Sequence, residues 1–178
     1  MSARRVIRVG VTGHRSFADA QAVADRLRVG LDNLRRLGGD EAGGAPASLE
    51  ILSALAVGAD CLVARVALSQ PETTLVAVLP LGRDDYVADF TGAESRREFE
   101  ALLDGSRLVE TMPPAPSREA AYEQAGRWIV EHSDALVALW DGDRARGQGG
   151  TAEIVTYATE CGVPILWVPV ARTPRGRP

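Results

Sequence analysis

The sequence predicts an open, doubly wound α/β domain of the Rossmann-like type, with a mainly parallel sheet and helices on both faces. Two observations predict this fold class. Apolar runs of strand length alternate with stretches of helical period, and several of these runs are apolar throughout. A strand that is apolar on both faces is typical of a parallel sheet covered on both sides. The length of 178 residues suits one domain.

The apolar runs define six predicted strands, each about as long as a typical strand. They lie at 6–11, 49–52, 75–79, 108–111, 135–140 and 164–168. We expect one domain over residues 1–171, followed by a flexible tail or linker over 172–178, where arginine and proline dominate.

Five helices are predicted between these strands, at 19–37, 60–68, 94–103, 117–132 and 151–161. In the first, Val23, Leu27, Leu31 and Leu34 recur at spacings of four, four and three, which places them on one helical face. Asp60 and Ser117 are residue types that favour the N-cap position, so we expect them to cap the second and fourth helices.

Composition excludes several functions. The net charge is −4, and all 20 basic residues are arginine, so the chain has no P-loop or Schiff-base lysine. The mild acidity argues against nucleic acid as a partner. No apolar run is long enough to span a membrane. Cys61 and Cys161 fit no metal or redox spacing, which predicts reduced thiols in a cytoplasmic protein with no metal site and no cofactor.

Ligands of doubly wound sheets bind at the carboxyl ends of the strands, so the loops at 12–15, 54–60, 81–92 and 141–151 are the candidate site. In the first loop, Gly13 could let the backbone approach a ligand, Arg15 could clamp a phosphate, and Thr12 and His14 flank them. The alternative is an ordinary turn with His14 and Arg15 solvated.

Three other loops add candidates. Gly58 could admit a phosphate or ribose and Asp60 could bond a hydroxyl, although a turn glycine with a capping aspartate would look the same. Tyr86 could stack on a base, with Arg83 in the same loop, and the carboxylate of Asp141 could bind sugar hydroxyls.

The stretch before the last helix is the most informative. Gly149, Gly150 and Thr151 lie between a buried strand and a helix, where unpaired N–H groups and a hydroxyl can surround a phosphate. Glu153 follows in the first helical turn. It could bind ribose hydroxyls, act as a nucleophile or base at a sugar carbon, or simply favour the helix dipole.

Three short motifs resemble the SLOG superfamily of Rossmann-like domains, which includes the LOG phosphoribohydrolases, the DprA proteins and ligand-sensing domains of bacterial conflict systems. The motifs are 11–15, 56–60 and 149–153, and the stretch 122–167 is also similar to the end of nucleoside 2-deoxyribosyltransferases. In those enzymes the catalytic glutamate usually lies three residues after the threonine, where this chain has Ile154, whereas Glu153 is two residues on.

The resemblance implies a domain that binds a nucleotide or nucleotide-derived ligand, as a sensor acting through a fused or separate effector. The alternative is an N-glycosidase, phosphoribohydrolase or deoxyribosyltransferase that uses Glu153 as its catalytic residue. A third possibility is an oligomer-forming module without a ligand. Related domains commonly pair through their helices, so we also expect a homo-oligomer.

Overall fold

The computed structural model describes residues 5–39, 45–143 and 150–173. The strands are β1 (Val6–Gly13), β2 (Ser48–Ser53), β3 (Thr73–Leu79), β4 (Leu108–Thr111), β5 (Ala135–Trp140) and β6 (Ile165–Pro169). The helices are α1 (Ala20–Leu37), α2 (Ala59–Leu68), α3 (Arg83–Val87), α4 (Ala93–Asp104), α5 (Arg118–Glu131) and α6 (Thr151–Glu160).

The six strands form one all-parallel sheet in the order β4-β3-β2-β1-β5-β6. The chain builds outward from β1 through β4, then crosses back to lay β5 on the other side of β1. The topological switch point therefore lies between β1 and β5, where Gly13 pairs with Leu139. This confirms the predicted Rossmann-like α/β architecture.

Two apolar cores flank the sheet. On one face, α1, α2, α3 and α4 bury side chains such as Leu27, Val63 and Phe99 against the odd-numbered residues of β1, β2, β3 and β5 and against Val168 of β6. On the other face, α5 and α6 cover Leu52, Val76 and Leu136. Alternate side chains of a strand point to opposite faces, so strands buried on both faces must be apolar throughout, as the sequence indicated.

Helix starts agree with the prediction at α5 and differ at α2. Ser117 caps α5, and its hydroxyl oxygen accepts a hydrogen bond from the Ala120 N–H at 3.1 Å. Asp60 does not cap α2, because Gly58 occupies that position and the Asp60 carboxylate accepts from the Ala56 N–H at 3.4 Å. The predicted cap was therefore wrong: the chain turns two residues earlier, at a glycine with φ of 96°.

The sequence did not predict α3. Its five residues are too few for a helical period, and two of them are aspartates that also suit a loop. Within the residues that the structure describes, no helix is long and apolar enough to cross a bilayer.

Candidate functional site

A cavity of about 350 Å³ opens at the carboxyl edge of the sheet. Its floor is formed by the ends of β1 and β2, and its walls by α5 and the first turn of α6. Thr12, Gly13, Arg15, Asp60 and Thr151 line it, so the predicted first, second and fourth loops all contribute to one site.

Arg15 is the cation at the centre of this site. Its guanidinium carbon lies 5.1 Å from the centroid of the Tyr122 ring, in cation–π geometry. Interaction with Tyr122 raises the pKa of Arg15 despite the opposing effect of burial. Among the described residues, no carboxylate oxygen lies within ion-pair distance of Arg15. Arg15 is therefore positioned by an aromatic ring, and no described carboxylate neutralises its charge in an ion pair.

Asp60 is the most perturbed carboxyl group of the cavity. It is 7% exposed, and burial raises its pKa to about 7, although the Ala56 N–H and the charge of Arg15 act in the opposite direction. Near neutral pH, a substantial fraction of Asp60 is therefore protonated. The cavity then carries less negative charge than its residue types suggest.

The outer rim of the cavity joins α5 to the segment after α3. Arg118 lies 3.6 Å from a carboxylate oxygen of Asp89 and donates to the carbonyl oxygen of Asp85 at 3.2 Å. The Tyr122 hydroxyl also donates to Asp89. Glu119 lines the same rim. The sequence gives no signal for Arg118, Glu119 or Tyr122, because the start of α5 follows β4 and carries no loop motif.

The two turn glycines, Gly13 and Gly58, allow close packing of the backbone. A Cβ atom at Gly13 would clash with Ala59 and lie 2.8 Å from the Leu139 carbonyl oxygen. A Cβ atom at Gly58 would clash with the backbone of Arg15. Both glycines therefore let β1, α2 and β5 approach one another. The sequence pattern instead predicted that they would let a ligand approach the backbone.

The first turn of α6 presents its residues to two sides. Gly150 is the N-cap, and Thr151 and Ile154 line the cavity. Glu153 instead lines a separate depression on the outer side of α6. A helix turns about 100° per residue, so a carboxylate at the third position after Thr151 would face the cavity, and at the second it does not. The predicted Gly149 lies outside the described residues.

His14 and Asp141 form a polar cluster beside the cavity and do not line it. His14 is 8% exposed, and its Nε2 atom lies 2.9 Å from Asp141 Oδ1. Arg172 Nε lies 2.5 Å from the other oxygen of Asp141 and 3.2 Å from His14 Nε2. Burial opposes ionisation of Asp141, but the hydrogen bonds from His14 and the Asp143 N–H, together with the charge of Arg172, lower its pKa. The first residue of the predicted tail is thus bound to the domain.

The third predicted loop, at 81–92, does not present Tyr86 or Arg83 to the cavity as expected. The Tyr86 ring is 1% exposed, packs edge-on against Phe90 and Phe99, and donates its hydroxyl to the Ala54 carbonyl oxygen at 2.9 Å. A ring enclosed in this way has no face available for a base, so the predicted stacking role is wrong. Arg83 is exposed at the start of α3 and does not line the cavity.

Comparison with solved structures shows a similarity in fold. No protein-family model and no curated protein matches the chain. Among solved structures, it is similar to DNA processing protein A (DprA) from Helicobacter pylori, in a study of that protein's single-stranded DNA binding mode. The TM-score is 0.59 at 16% identity, over 92% of this chain and 65% of that one. The chain thus spans less than two thirds of that protein and has a DprA-type Rossmann-like fold.

This similarity corrects two expectations. The predicted function, a nucleotide sensor or alternatively a glycosidase or deoxyribosyltransferase, is contradicted because a protein of this fold binds single-stranded DNA. The expectation that nucleic acid is an unlikely partner is contradicted for the same reason. Net charge averages over the whole surface, whereas phosphate binding depends on local charge, and arginine binds phosphate at least as well as lysine does.

Proposed function

We propose that the chain binds single-stranded nucleic acid, and specifically single-stranded DNA, at the carboxyl edge of its sheet. One observation carries the proposal: Arg15 lies in an open cavity, held by Tyr122 and without a carboxylate partner among the described residues. A guanidinium in this state is suited to a phosphate. The similarity in fold to a single-stranded DNA-binding protein supports this choice of ligand.

The phosphate position is suggested by groups on opposite sides of the cavity. Arg15 follows β1, whereas Thr151 begins α6 and supplies a hydroxyl beside the unpaired N–H groups of a helix N-terminus. Arg118, at the rim, is the cation for a neighbouring phosphate of the same strand. Its ion pair with Asp89 is long, at 3.6 Å, and its side chain is 43% exposed, so exchange of the carboxylate for a phosphate costs little.

The size of the cavity favours a strand passing across it. A volume of about 350 Å³ is near the lower limit of small-molecule sites, which span roughly 300–1,000 Å³. Exposed Arg118 and Glu119 form its outer rim, so it is open to solvent along the sheet edge. One nucleotide can enter while its neighbours in the strand remain outside.

Fluorescence anisotropy tests the proposal. The probe is a labelled oligonucleotide of about 20 nucleotides, longer than the ~4–16 nucleotides that one OB-fold covers, compared with the matching duplex. We expect Arg15→Ala to weaken binding about 10–100-fold, because a hydrogen bond to a charged group contributes about 1.5–3 kcal/mol. Arg97→Ala is the matched control, since Arg97 is exposed on α4, away from the cavity.

Equal affinity of the wild type and Arg15→Ala would reject the site, and absence of binding at low ionic strength would reject the function. Preference for the duplex would reject the single-stranded specificity. A cytoplasmic location and a domain boundary near residue 171 remain part of the proposal. Both cysteines are free thiols, which is consistent with a reducing compartment.

A further inference from the structure

We propose that the single strand continues past Arg15 and places a further phosphate in a second depression, which lies between the starts of α1 and α2 and the middle of α4. We call it the α2–α4 depression. Its volume is about 210 Å³, and its lining includes Arg15, Ser16, Phe17, Leu62, Arg65 and Glu98. The inference rests on the proposed function, because it extends the path of the strand beyond the cavity.

The α2–α4 depression adjoins the cavity, because Arg15 lines both. The segment before α2 also connects them, since Ala56 lines the cavity and Gly58 lines the depression. This segment packs directly on the loop after β1: a Cβ atom at Gly58 would lie 2.3 Å from the Arg15 carbonyl oxygen. A strand that contacts Arg15 in the cavity therefore needs to cross only these two packed segments to enter the depression.

Positive charge predominates in the α2–α4 depression. Its charged lining residues are Arg15, Arg65 and Glu98, so two cations accompany one carboxylate. Arg15 is exposed and has no carboxylate oxygen within ion-pair distance among the described residues. Proteins that bind single strands follow the phosphate backbone with positively charged grooves. The local charge therefore favours a phosphate, although the whole chain is mildly acidic.

Arg65 is held by an ion pair that a phosphate can replace. Its Nη1 atom lies 2.8 Å from Glu98 Oε1, and the two side chains are 62% and 34% exposed. An exposed ion pair contributes little to stability, because water and salt screen the charges and both side chains lose freedom. Arginine binds phosphate through two parallel hydrogen bonds, which are stronger than bonds between neutral groups. Glu98 therefore competes with the strand for Arg65.

Two apolar side chains fix the shape of the depression. Leu62 is 5% exposed, and Phe17 is half-buried against the same core. Because packing already holds both side chains, a ligand does not have to order them. Ser16 is exposed beside them, and serine hydroxyls commonly donate to phosphate oxygens. The depression thus combines a hydroxyl and two guanidinium groups with a preformed apolar surface.

Fluorescence anisotropy with a labelled single strand of about 20 nucleotides and the full chain tests the inference. We expect Arg65→Ala to weaken binding up to about fivefold at low ionic strength. The slope of log affinity against log salt concentration should become less steep by about 0.7, as expected for the loss of one phosphate contact. Glu98→Gln should strengthen binding, because it frees Arg65 and removes a carboxylate that repels phosphate. Such a gain cannot come from damage to the fold.

A second exposed ion pair supplies the matched controls. Arg28 Nη1 lies 2.6 Å from Asp25 Oδ1 on α1, and neither residue lines the cavity or the α2–α4 depression. Arg28→Ala and Asp25→Asn change the net charge by the same amounts as the two test variants. We expect them to alter the affinity less and to leave the salt slope unchanged, because phosphate binding depends on local charge.

The outcomes separate this inference from the proposed function. If Arg15→Ala weakens binding while Arg65→Ala and Glu98→Gln match their controls, only the α2–α4 depression is rejected. An acidic protein segment as its occupant would give this same result. If the wild type binds no oligonucleotide, both proposals fail. If Glu98→Gln and Asp25→Asn strengthen binding equally, the gain reports net charge alone, which overturns the inference.

Discussion

The guanidinium of Arg15 stacks on the ring of Tyr122, and the hydroxyl of Tyr122 donates to Asp89. Arg15 is therefore positioned by a side chain of α5, which is itself bound to the segment after α3. This chain of contacts fixes the position of Arg15 before any ligand arrives. Binding then loses less side-chain entropy than it would with a solvated arginine.

Changes at Tyr122 test this positioning. We expect Tyr122→Leu to weaken DNA binding about fivefold, because the cation–π interaction contributes about 0.5–1 kcal/mol at an exposed site and more when it is desolvated. Tyr122→Phe keeps the ring and should lose much less, as measured by fluorescence anisotropy. An equal loss in both variants would show that the hydroxyl bond to Asp89, and not the ring, positions Arg15.

The salt dependence of binding should report the number of phosphates in contact. For single strands, the slope of log affinity against log salt concentration is about −0.7 per neutralised phosphate. Arg118→Ala should therefore make the slope less steep by about 0.7, if Arg118 holds one phosphate. Affinities measured over a range of NaCl concentrations give the slope, and Arg97→Ala should leave it unchanged. An unaltered slope in Arg118→Ala would remove Arg118 from the interface.

The pKa of Asp60 should make stability depend on pH. Because the folded pKa is about 7 and the unfolded value is ordinary, about 3.9, the folded state binds more protons between these values. Stability should therefore fall as pH rises from about 4 to about 7 and then stay level. Denaturant unfolding of the wild type and Asp60→Asn at several pH values tests this, and the variant should lack the decline. A decline of equal size in both proteins would assign it to other groups.

Three glycine-to-alanine variants separate clash from backbone strain. Gly58→Ala combines a φ of 96° with a clash against the Arg15 backbone, Gly162→Ala has a φ of 71° with no neighbour within 4 Å, and Gly82→Ala has neither problem. We expect Gly162→Ala to cost about 1–2 kcal/mol, Gly58→Ala to cost more, and Gly82→Ala to cost little. Denaturant unfolding gives the three values, and similar costs for the first two would mean that the backbone relaxes to remove the clash.

The sequence predicted the fold well and the site only in part. Strands that are buried on both faces are apolar throughout, and this pattern is visible in the sequence. All six strands, and five of the six helices that the structure describes, therefore lie within two residues of their predicted bounds. Arg15, Asp60 and Thr151 follow strands, and strand ends meet at one edge. Arg118 and Tyr122 come from a helix face, and only the packing of α5 over the sheet brings them to that edge.

The local motifs also predicted the wrong orientation for two side chains. Tyr86 and Glu153 lie in the segments expected to face a ligand, yet Tyr86 points into an aromatic core and Glu153 to the far side of α6. Successive residues of a helix are rotated by about 100°. The residue at which the helix begins therefore decides which way each side chain points. For α6 the preceding loop sets that start, and its residues 144–149 are outside the described part of the chain.

The contact of α5 with α6 makes one wall of the cavity stiff. A Cβ atom at Gly126 would lie 2.5 Å from the Cδ1 atom of Ile154, so the two helices touch at their closest approach, and Ile154 itself lines the cavity. At this contact neither helix can approach the other further. The other side of the cavity is joined to α5 through Asp89, which pairs with Arg118 at 3.6 Å and accepts a hydrogen bond from the Tyr122 hydroxyl. A larger base can therefore gain room only by displacing the segment after α3, because the α5–α6 side is already closely packed.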